Sequence, residues 1–385
     1  MTFSPENSEY LLTVLRAVIN GRTAPPPPEG VDLKEVYELA DAHRLAPMAY
    51  HGLYLAGLDG EGLAPFRAAH RSEVKLSALL GSEFRRIADK LESAGIEYCP
   101  LKGYFTRELY PDPAMRTMSD IDIMIHAEDS ERIREIMDGM GYGCLRYMLD
   151  DDDKYKRPGL LVEFHRALDS DGLGDPSYYR DPWRLTEPAG GHMRRLRVSD
   201  AYLYTAAHAL KHFMSSGTGL RSLLDICLYM TKAPIDREYV DEAAKEMGMS
   251  RFLRSMEKAA AAAFCGAEAD ADTREILDFM IGSGVIGSRD TLITSNMMRS
   301  GAENGGTKLS YFMKLLFPPF RSMKLRYPVL RDAPALLPVM HIRRLLELAF
   351  LKPDRRRAAI ERFGSIELSE AEKLKRIHEI AGVGK

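Results

Sequence analysis

Two aspartates, Asp120 and Asp122, have the spacing of a metal-binding pair. They begin the segment DIDIMI, where acidic and aliphatic residues alternate as in a β-strand with one buried face. Residues i and i+2 of a strand point to the same side, so the two carboxylates lie together while Ile121 and Ile123 face a core. Such close like charges repel unless a divalent cation lies between them. The pair predicts a site for Mg²⁺ or Mn²⁺; a solvated acidic strand edge is the alternative.

Other residues near this pair have the chemistry to complete a phosphate-handling site. Lys102 and Gly103 lie at a predicted strand-to-helix turn, where backbone N–H groups can bind phosphate. Arg116 lies on the loop that enters the acidic strand and could also contact a phosphate. Glu163, in LVEFH, is a single acid on another apolar strand, and it would supply the third carboxylate of a two-metal site. Taken singly, Lys102 and Arg116 are better explained as solvated loop charges, and Glu163 as an outward-facing strand residue.

A predicted helix over Ala201–Met214 carries the pair His208 and His212. At about 100° per residue the two histidines lie together on one face. The opposite face is apolar and consists of Leu203, Ala206, Ala207, Leu210, Phe213 and Met214. A zinc-protease motif needs a glutamate after the first histidine, and Ala209 is there instead. The histidine face is therefore either exposed, or it lines a cleft where His208, Lys211 or His212 contacts a ligand.

Two further charged groups are typical of the protein surface. Arg221 and Asp225 are four residues apart on a predicted helix, the spacing of a surface salt bridge. The run Asp150–Asp153 consists of four like charges, which are usually solvated in a loop. We therefore expect both groups to lie outside the site.

The elements that must position these residues fall into four regions. Residues 1–93 are helical, with predicted helices over Val31–Ala46 and Arg67–Ser93. Residues 94–198 mix short helices with strands, 199–290 return to a helical period that includes Val240–Cys265, and 291–385 form a proline-interrupted helical extension. The predicted strands are Ile96–Leu101, Asp120–Ile125, Tyr142–Met148 and Leu160–His165. The fold class is α+β, a mixed α/β core with a mixed sheet flanked by helical regions.

Composition limits the class of protein. The 385 residues include 53 Lys and Arg against 56 Asp and Glu, a net charge of −3, which gives no general electrostatic attraction for nucleic acid. The N-terminal residues MTFSPENSEY lack the basic and apolar regions of a signal peptide. No apolar run reaches the length of a membrane span, about 18 residues. The four cysteines are scattered without a CxxC pair. We expect a cytoplasmic protein with reduced thiols and no membrane partner.

An ordered set of short motifs resembles the bacterial uncharacterised nucleotidyltransferase family, within the superfamily of DNA polymerase β and the kanamycin nucleotidyltransferases. Each motif alone is weak, but their order over more than a hundred residues is specific. The motifs are Leu39-Ala40-Asp41-Ala42-His43, Leu101-Lys102-Gly103, Tyr110-Pro111-Asp112-Pro113, Arg116, Asp120-Ile121-Asp122, Glu163-Phe164-His165, His208-Ala209-Leu210-Lys211-His212 and Leu223-Leu224-Asp225.

The resemblance implies transfer of a nucleoside monophosphate from a nucleoside triphosphate, ATP included, to an acceptor, with release of pyrophosphate. It implies that Asp120, Asp122 and Glu163 hold two Mg²⁺ or Mn²⁺ ions and are catalytic. It also implies that the nucleotide-binding residues are Lys102, Gly103, Arg116, His208, Lys211 and His212. The acceptor can be a small molecule, a peptide or RNA, and His165, Arg221 and Asp225 receive no role.

One departure from the superfamily pattern keeps other functions open. The superfamily has a Gly-Ser turn where this chain has Lys102-Gly103, so the serine hydroxyl that would contact a phosphate is missing. Phosphate binding then falls to backbone amides and to Lys102. An inactive protein of the same fold that binds a nucleotide or a partner is one alternative. A toxin-like enzyme that adds nucleotides to tRNA is another, and the near-neutral charge argues against it.

Overall fold

The computed structural model describes residues 3–149, 151–168, 176–285, 287, 291, 295, 316–330, 332–347 and 368–383. The chain forms two compact units, one of Met1–Gly287 with His378–Lys385 and the other of Ser288–Ile377. The first unit contains a mixed sheet with helices around it, the α+β architecture that the sequence predicts. Part of the predicted C-terminal extension, 291–385, lies outside the described residues.

The N-terminal region is helical, as predicted. Its helices are α1 (Pro5–Ile19), α2 (Leu33–Ala42), α3 (Ala46–Leu55) and α4 (Ala64–Ala94). Ser4 and Asp32 begin α1 and α2 by accepting hydrogen bonds from backbone N–H groups of the first turn. The single helix predicted over Val31–Ala46 is wrong at its end. The chain leaves α2 at His43, and Pro47 lies in the first turn of α3, where proline is favoured.

Seven strands of the described chain form one mixed sheet in the order β3-β4-β5-β2-β1-β7-β6. The pairs β2–β5 and β1–β7 are parallel, and the other neighbours are antiparallel. The strands are β1 (Tyr98–Pro100), β2 (Ile121–Ile125), β3 (Gly143–Arg146), β4 (Asp152–Arg157), β5 (Leu160–His165), β6 (Thr186–Gly190) and β7 (Met193–Leu196). The predicted strand Leu160–His165 is confirmed to the residue, whereas β4, β6 and β7 have no counterpart in the prediction.

The acidic run at Asp150–Asp153 is not the solvated loop that its charge predicts. Asp152 and Asp153 lie in β4, and both are buried. Asp152 contacts Arg146, and the Asp153 Oδ1 lies 2.6 Å from Arg166 Nη1. Pairing with arginines removes the cost of burying these carboxylates, so the run adds a strand to the sheet. Asp150 lies outside the described residues.

One face of the sheet packs on α4 and on α6 (Ser130–Gly139) through a core of aliphatic and aromatic side chains. Ile121, Ile123 and Ile125 of β2 belong to this core, as does Tyr155 of β4. Because strand side chains alternate, Asp122 and Lys154 point to the opposite face. The two-residue period of DIDIMI therefore separates the core from the candidate site as predicted.

Helices return after the sheet. They are α7 (Val198–Ser215), α8 (Leu220–Lys232), α9 (Arg237–Glu246), α10 (Ser250–Ala260, with a π-helical turn over Ala261–Cys265) and α11 (Ala271–Ser283). The stretch Val240–Cys265 is helical, as its period indicates, and Gly248, with φ +67°, separates α9 from α10. Later helices are α12 (Phe320–Arg326), α13 (Leu337–Leu346) and α14 (Leu368–Ile380). Across the described ranges, no helix combines the length and apolar character needed to span a bilayer.

Candidate active site

The centre of the site is formed by the parallel strands β2 and β5. Their register places Asp122 directly beside Glu163, and both carboxylates are buried. His165 follows Glu163 by two residues, so it points to the same face. Its Nε2 lies 2.7 Å from Asp122 Oδ1 and 3.9 Å from Glu163 Oε2. One ligand atom from each of the three residues lies within 4.8 Å of the others, which is close enough for a single divalent cation.

Lys102 brings a positive charge to this centre. It follows β1 and precedes the one-turn helix α5 (Gly103–Thr106), and its Nζ lies 2.5 Å from Asp122 Oδ1. Burial favours the neutral carboxyl group, but Lys102 and His165 outweigh it and hold the pKa of Asp122 below its usual value. The same ion pair overcomes the burial of Lys102 and raises the pKa of its ammonium. Both groups are therefore charged at neutral pH.

Asp120 lies at the edge of the centre rather than in it. It precedes the first residue of β2, is half-buried and accepts a hydrogen bond from Ser119 Oγ at 3.3 Å. Burial and the neighbouring Asp122 carboxylate raise its pKa. Among the described residues, the group with converging metal-ligand atoms contains His165, and Asp120 is not a member. Asp122 and Glu163 thus share the close ligand group, and Asp120 lies near enough for the charges of both to raise its pKa.

Strand β4 adds a lysine that the sequence analysis did not identify. Lys154 is the register partner of Glu163, and its ammonium contacts the Glu163 carboxylate. The same Nζ lies 3.2 Å from Oδ2 of Asp152, which Arg146 contacts on its other side. Arg146 and Lys154 outweigh burial and lower the pKa of Asp152. The sheet face therefore carries a row of charged side chains in which each carboxylate contacts a cation: Asp122 with Lys102, Glu163 with Lys154, and Asp152 with Lys154 and Arg146.

The α7 residues His208, Lys211 and His212 lie near enough to Lys102 for its charge to lower the pKa of all three. His208 Nε2 and His212 Nε2 are 3.1 Å apart, and one donates a hydrogen bond to the other. Burial lowers the pKa of His208, and the nearby charges of His212 and Lys102 lower it further. Burial also lowers the pKa of His212 to about 4. Burial and the charge of Lys102 lower the pKa of Lys211. Both histidines are therefore neutral at pH 7.

Arg116 lies in an anchoring contact beside the site. Its Nε and Nη2 lie 2.9 and 2.8 Å from the two carboxylate oxygens of Asp225 on α8, and Tyr110 Oη donates to the same Asp225 at 2.7 Å. The predicted surface pair of Arg221 with Asp225 is therefore wrong, because Asp225 is buried and pairs with Arg116. Arg221 instead donates to the backbone and hydroxyl oxygens of Thr117.

The contact between Arg116 and Asp225 explains why residue 103 is a glycine. A Cβ atom at Gly103 would lie 2.1 Å from Arg116 Nη1, so any larger residue would displace the guanidinium. The following helix α5 has only four residues, and its dipole contributes little to phosphate binding. At this turn the Lys102 ammonium is the charged group that points to the site.

Lys154 and His165 are the site residues that sequence reasoning missed. The sequence could have identified His165, because it follows Glu163 by two residues and the two side chains therefore share one face of a strand. Lys154 lies in DDKYKR, where charged residues at every second position indicate a polar strand face. Its pairing with Glu163 depends on an antiparallel contact between β4 and β5 that the charge pattern alone does not predict.

Two buried carboxylates on adjacent strands, together with an imidazole, form a donor set that could hold a divalent cation. A family model described as "Uncharacterised nucleotidyltransferase" matches residues 29–264, more than half of the chain. The chain therefore belongs to that nucleotidyltransferase family. No curated protein and no solved structure matches the sequence.

Proposed function

We propose that this chain transfers a nucleoside monophosphate from a nucleoside triphosphate to a hydroxyl or phosphate acceptor and releases pyrophosphate. The observation that carries the proposal is the register pair Asp122 and Glu163, with Lys102 on the same sheet face. Membership of a nucleotidyltransferase family supports it. The acceptor, the base, ATP as the donor and a cytoplasmic location stay predictions.

The donor atoms of the site suit a divalent cation. Two carboxylates and one imidazole converge, and Mg²⁺ and Mn²⁺ prefer oxygen ligands. In the proposal, Asp122 and Glu163 hold the metal, and Asp120 joins them from the start of β2. The metal would neutralise phosphate charge and activate the acceptor oxygen.

The side chains of the chain itself position the reactants. Lys102 is proposed to bind a phosphate oxygen, and His165 fixes one oxygen of Asp122 through their hydrogen bond. His208, Lys211 and His212 are proposed to face the triphosphate from α7. The neutral histidines can donate hydrogen bonds without adding repulsion to Lys102. Catalysis of this kind depends on positioning and on stabilising developing charge.

The test is metal-dependent release of pyrophosphate from each of the four nucleoside triphosphates, with α-labelled nucleotide to trap the acceptor. Small molecules, peptides and RNA would be supplied as separate acceptor pools. We expect turnover with Mg²⁺ or Mn²⁺ that falls at least a hundredfold in Asp122→Asn. Lys156→Met, which changes an exposed residue of β4, serves as the control. Pyrophosphate release that continues at the wild-type rate in Asp122→Asn would contradict the assignment.

One observation favours a second candidate, a nucleotide-binding protein without turnover. Each of the two central carboxylates already contacts a lysine, Asp122 with Lys102 and Glu163 with Lys154. A protein that binds a triphosphate through these lysines needs no metal. The same experiment separates the candidates, because tight triphosphate binding without pyrophosphate release in any acceptor pool identifies the binding protein.

A further inference from the structure

Each carboxylate that the proposed metal requires already forms an ion pair with a lysine. Lys102 lies on Asp122, and Lys154 lies between Glu163 and Asp152. Lys154 comes from β4, a strand on the far side of Glu163 from β2. Its side chain is 29% exposed, whereas those of Glu163 and Asp152 are 10% and 12% exposed. The Lys154 ammonium therefore lies between solvent and the two more buried carboxylates, Glu163 and Asp152.

A metal ion and the Lys154 ammonium would share the Glu163 carboxylate, because Lys154 contacts Oε1 and the other oxygen, Oε2, lies toward His165. Mg²⁺ binds carboxylate oxygens at about 2.0–2.1 Å. An ammonium in hydrogen-bond contact with the same carboxylate would then be a few ångströms from the cation. At such distances like charges in a protein interior repel by several kcal/mol. While Lys154 stays on Glu163, this repulsion weakens the binding of a metal to Glu163.

A partly buried ammonium that leaves its carboxylates needs another anion. The triphosphate of a nucleotide supplies one at the same site, and it carries several charged oxygens. The flexible four-carbon stem of lysine allows the ammonium to change partners without a change in the backbone. Strand β4 can therefore remain in its register while the charge moves.

We propose that Lys154 is a counter-ion that exchanges partners: it holds Glu163 and Asp152 in the free protein and binds the triphosphate when a nucleotide enters. Glu163 then becomes fully available to the metal only together with the nucleotide. This inference rests on the proposed function and adds a residue to it. Its consequence is that the free protein binds a metal ion weakly, which prevents the occupied site from forming without its substrate.

The experiment measures two affinities separately by calorimetry, that of Mn²⁺ alone and that of inorganic tripolyphosphate in the presence of EDTA. In Lys154→Met we expect Mn²⁺ to bind at least tenfold more tightly, because the competing cation is gone. We expect tripolyphosphate to bind at least tenfold more weakly, because a phosphate ligand is gone. In the double variant Lys154→Met with Glu163→Gln, the gain in Mn²⁺ affinity should disappear.

Lys156→Met is the matched control, since Lys156 lies two residues further along the same strand and is exposed. Both affinities should stay at the wild-type value in this variant. If Lys154→Met does not fold, the charge-matched variant Lys154→Met with Asp152→Asn replaces it, because that variant leaves the net charge of the group unchanged. Wild-type Mn²⁺ affinity without the lysine, or unchanged tripolyphosphate affinity, would overturn the proposal.

The result is distinct from that of the turnover assay. If the protein releases no pyrophosphate but Lys154→Met gains Mn²⁺ affinity, the counter-ion proposal is supported and the transferase proposal is rejected. If the protein turns over but Lys154→Met changes neither the Mn²⁺ nor the tripolyphosphate affinity, the transferase proposal is supported and the counter-ion proposal is rejected.

Discussion

Lys102 has a backbone conformation that residues with a side chain rarely adopt, with φ 50° and ψ −119°. Strain of this kind costs about 1–3 kcal/mol and is maintained where the surrounding structure requires it. Glycine would adopt the same conformation freely, but it would remove the ammonium beside Asp122. The lysine at this position therefore favours the site at the expense of the stability of the fold.

Two substitutions at Lys102 separate these effects. Lys102→Gly and Lys102→Ala both remove the ammonium, and only the glycine variant also removes the strain. We expect the glycine variant to have the larger free energy of unfolding, by about 1 kcal/mol, as measured by urea denaturation. Both should bind tripolyphosphate at least tenfold more weakly than the wild type. An alanine variant as stable as the glycine variant would show that the turn is not strained.

Helix α4 contains a glycine that its backbone does not require. Gly81 lies inside this long helix, its φ is not in the left-handed region, and an added Cβ would meet no atom within 4 Å. It lines a small cleft with Phe84 and Tyr104. Glycine inside a helix costs about 0.5–1 kcal/mol relative to alanine. We expect Gly81→Ala to raise the free energy of unfolding by that amount in urea denaturation; a destabilised variant would contradict this account.

Three helical elements meet at His43, at the end of α2. Its Nδ1 accepts a hydrogen bond from Leu220 N of α8, and its Nε2 lies 3.0 Å from the Ile281 carbonyl oxygen of α11. The ring is fully buried, and burial lowers its pKa to about 4. A Cβ at Gly219 would lie 2.3 Å from Nδ1, so the contact also requires that glycine.

The lowered pKa of His43 makes stability depend on pH. The unfolded chain binds a proton near pH 6.5 and the folded chain near pH 4, so stability is complete above about pH 6.5 and is lost as the pH falls toward 4. The loss from this one residue is at most about 3 kcal/mol. Glutamine can accept and donate the same two hydrogen bonds without titrating. We expect His43→Gln to reduce the pH dependence of urea denaturation over this range, with a remainder to which His208 and His212 contribute. An unchanged slope would exclude His43 as a source.

The elements differ in how far the sequence predicts them. Strands β2 and β5 are predictable because their apolar residues follow local periods of two or form short runs. Strand β4 is not, because the DDKYKR segment has little apolar character and is stabilised by ion pairs with Arg146 and Arg166. The Arg116–Asp225 pair joins a loop to a helix far along the chain, and no local pattern predicts which cation faces Asp225. The acidic centre was therefore predictable, and its counter-ions were not.

At the scale of the whole molecule, ligand binding at the site should raise the melting temperature. A ligand that binds only the folded chain stabilises it by about 2.7 kcal/mol at a concentration of one hundred times its Kd. We expect Mn²⁺ with a nucleoside triphosphate to raise the melting temperature in a thermal-shift measurement and Asp122→Asn to lose the increase. Lys156→Met should retain it. The absence of any shift in the wild type, with the metal alone or together with triphosphate, would count against a nucleotide site.

The charged side chains of the sheet also favour one register of strand pairing over others. Lys154 faces Glu163 only when β4 pairs with β5 in the observed register. A slip of one residue would turn every side chain of β4 to the other face. Lys154 would then enter the core beside α4, and Tyr155 would face the carboxylates. Each error leaves a buried charge without a partner, so the mispaired sheet is much less stable than the native one. The ion pairs of Lys154 therefore also favour the native register of β4 and β5 over a slip of one residue.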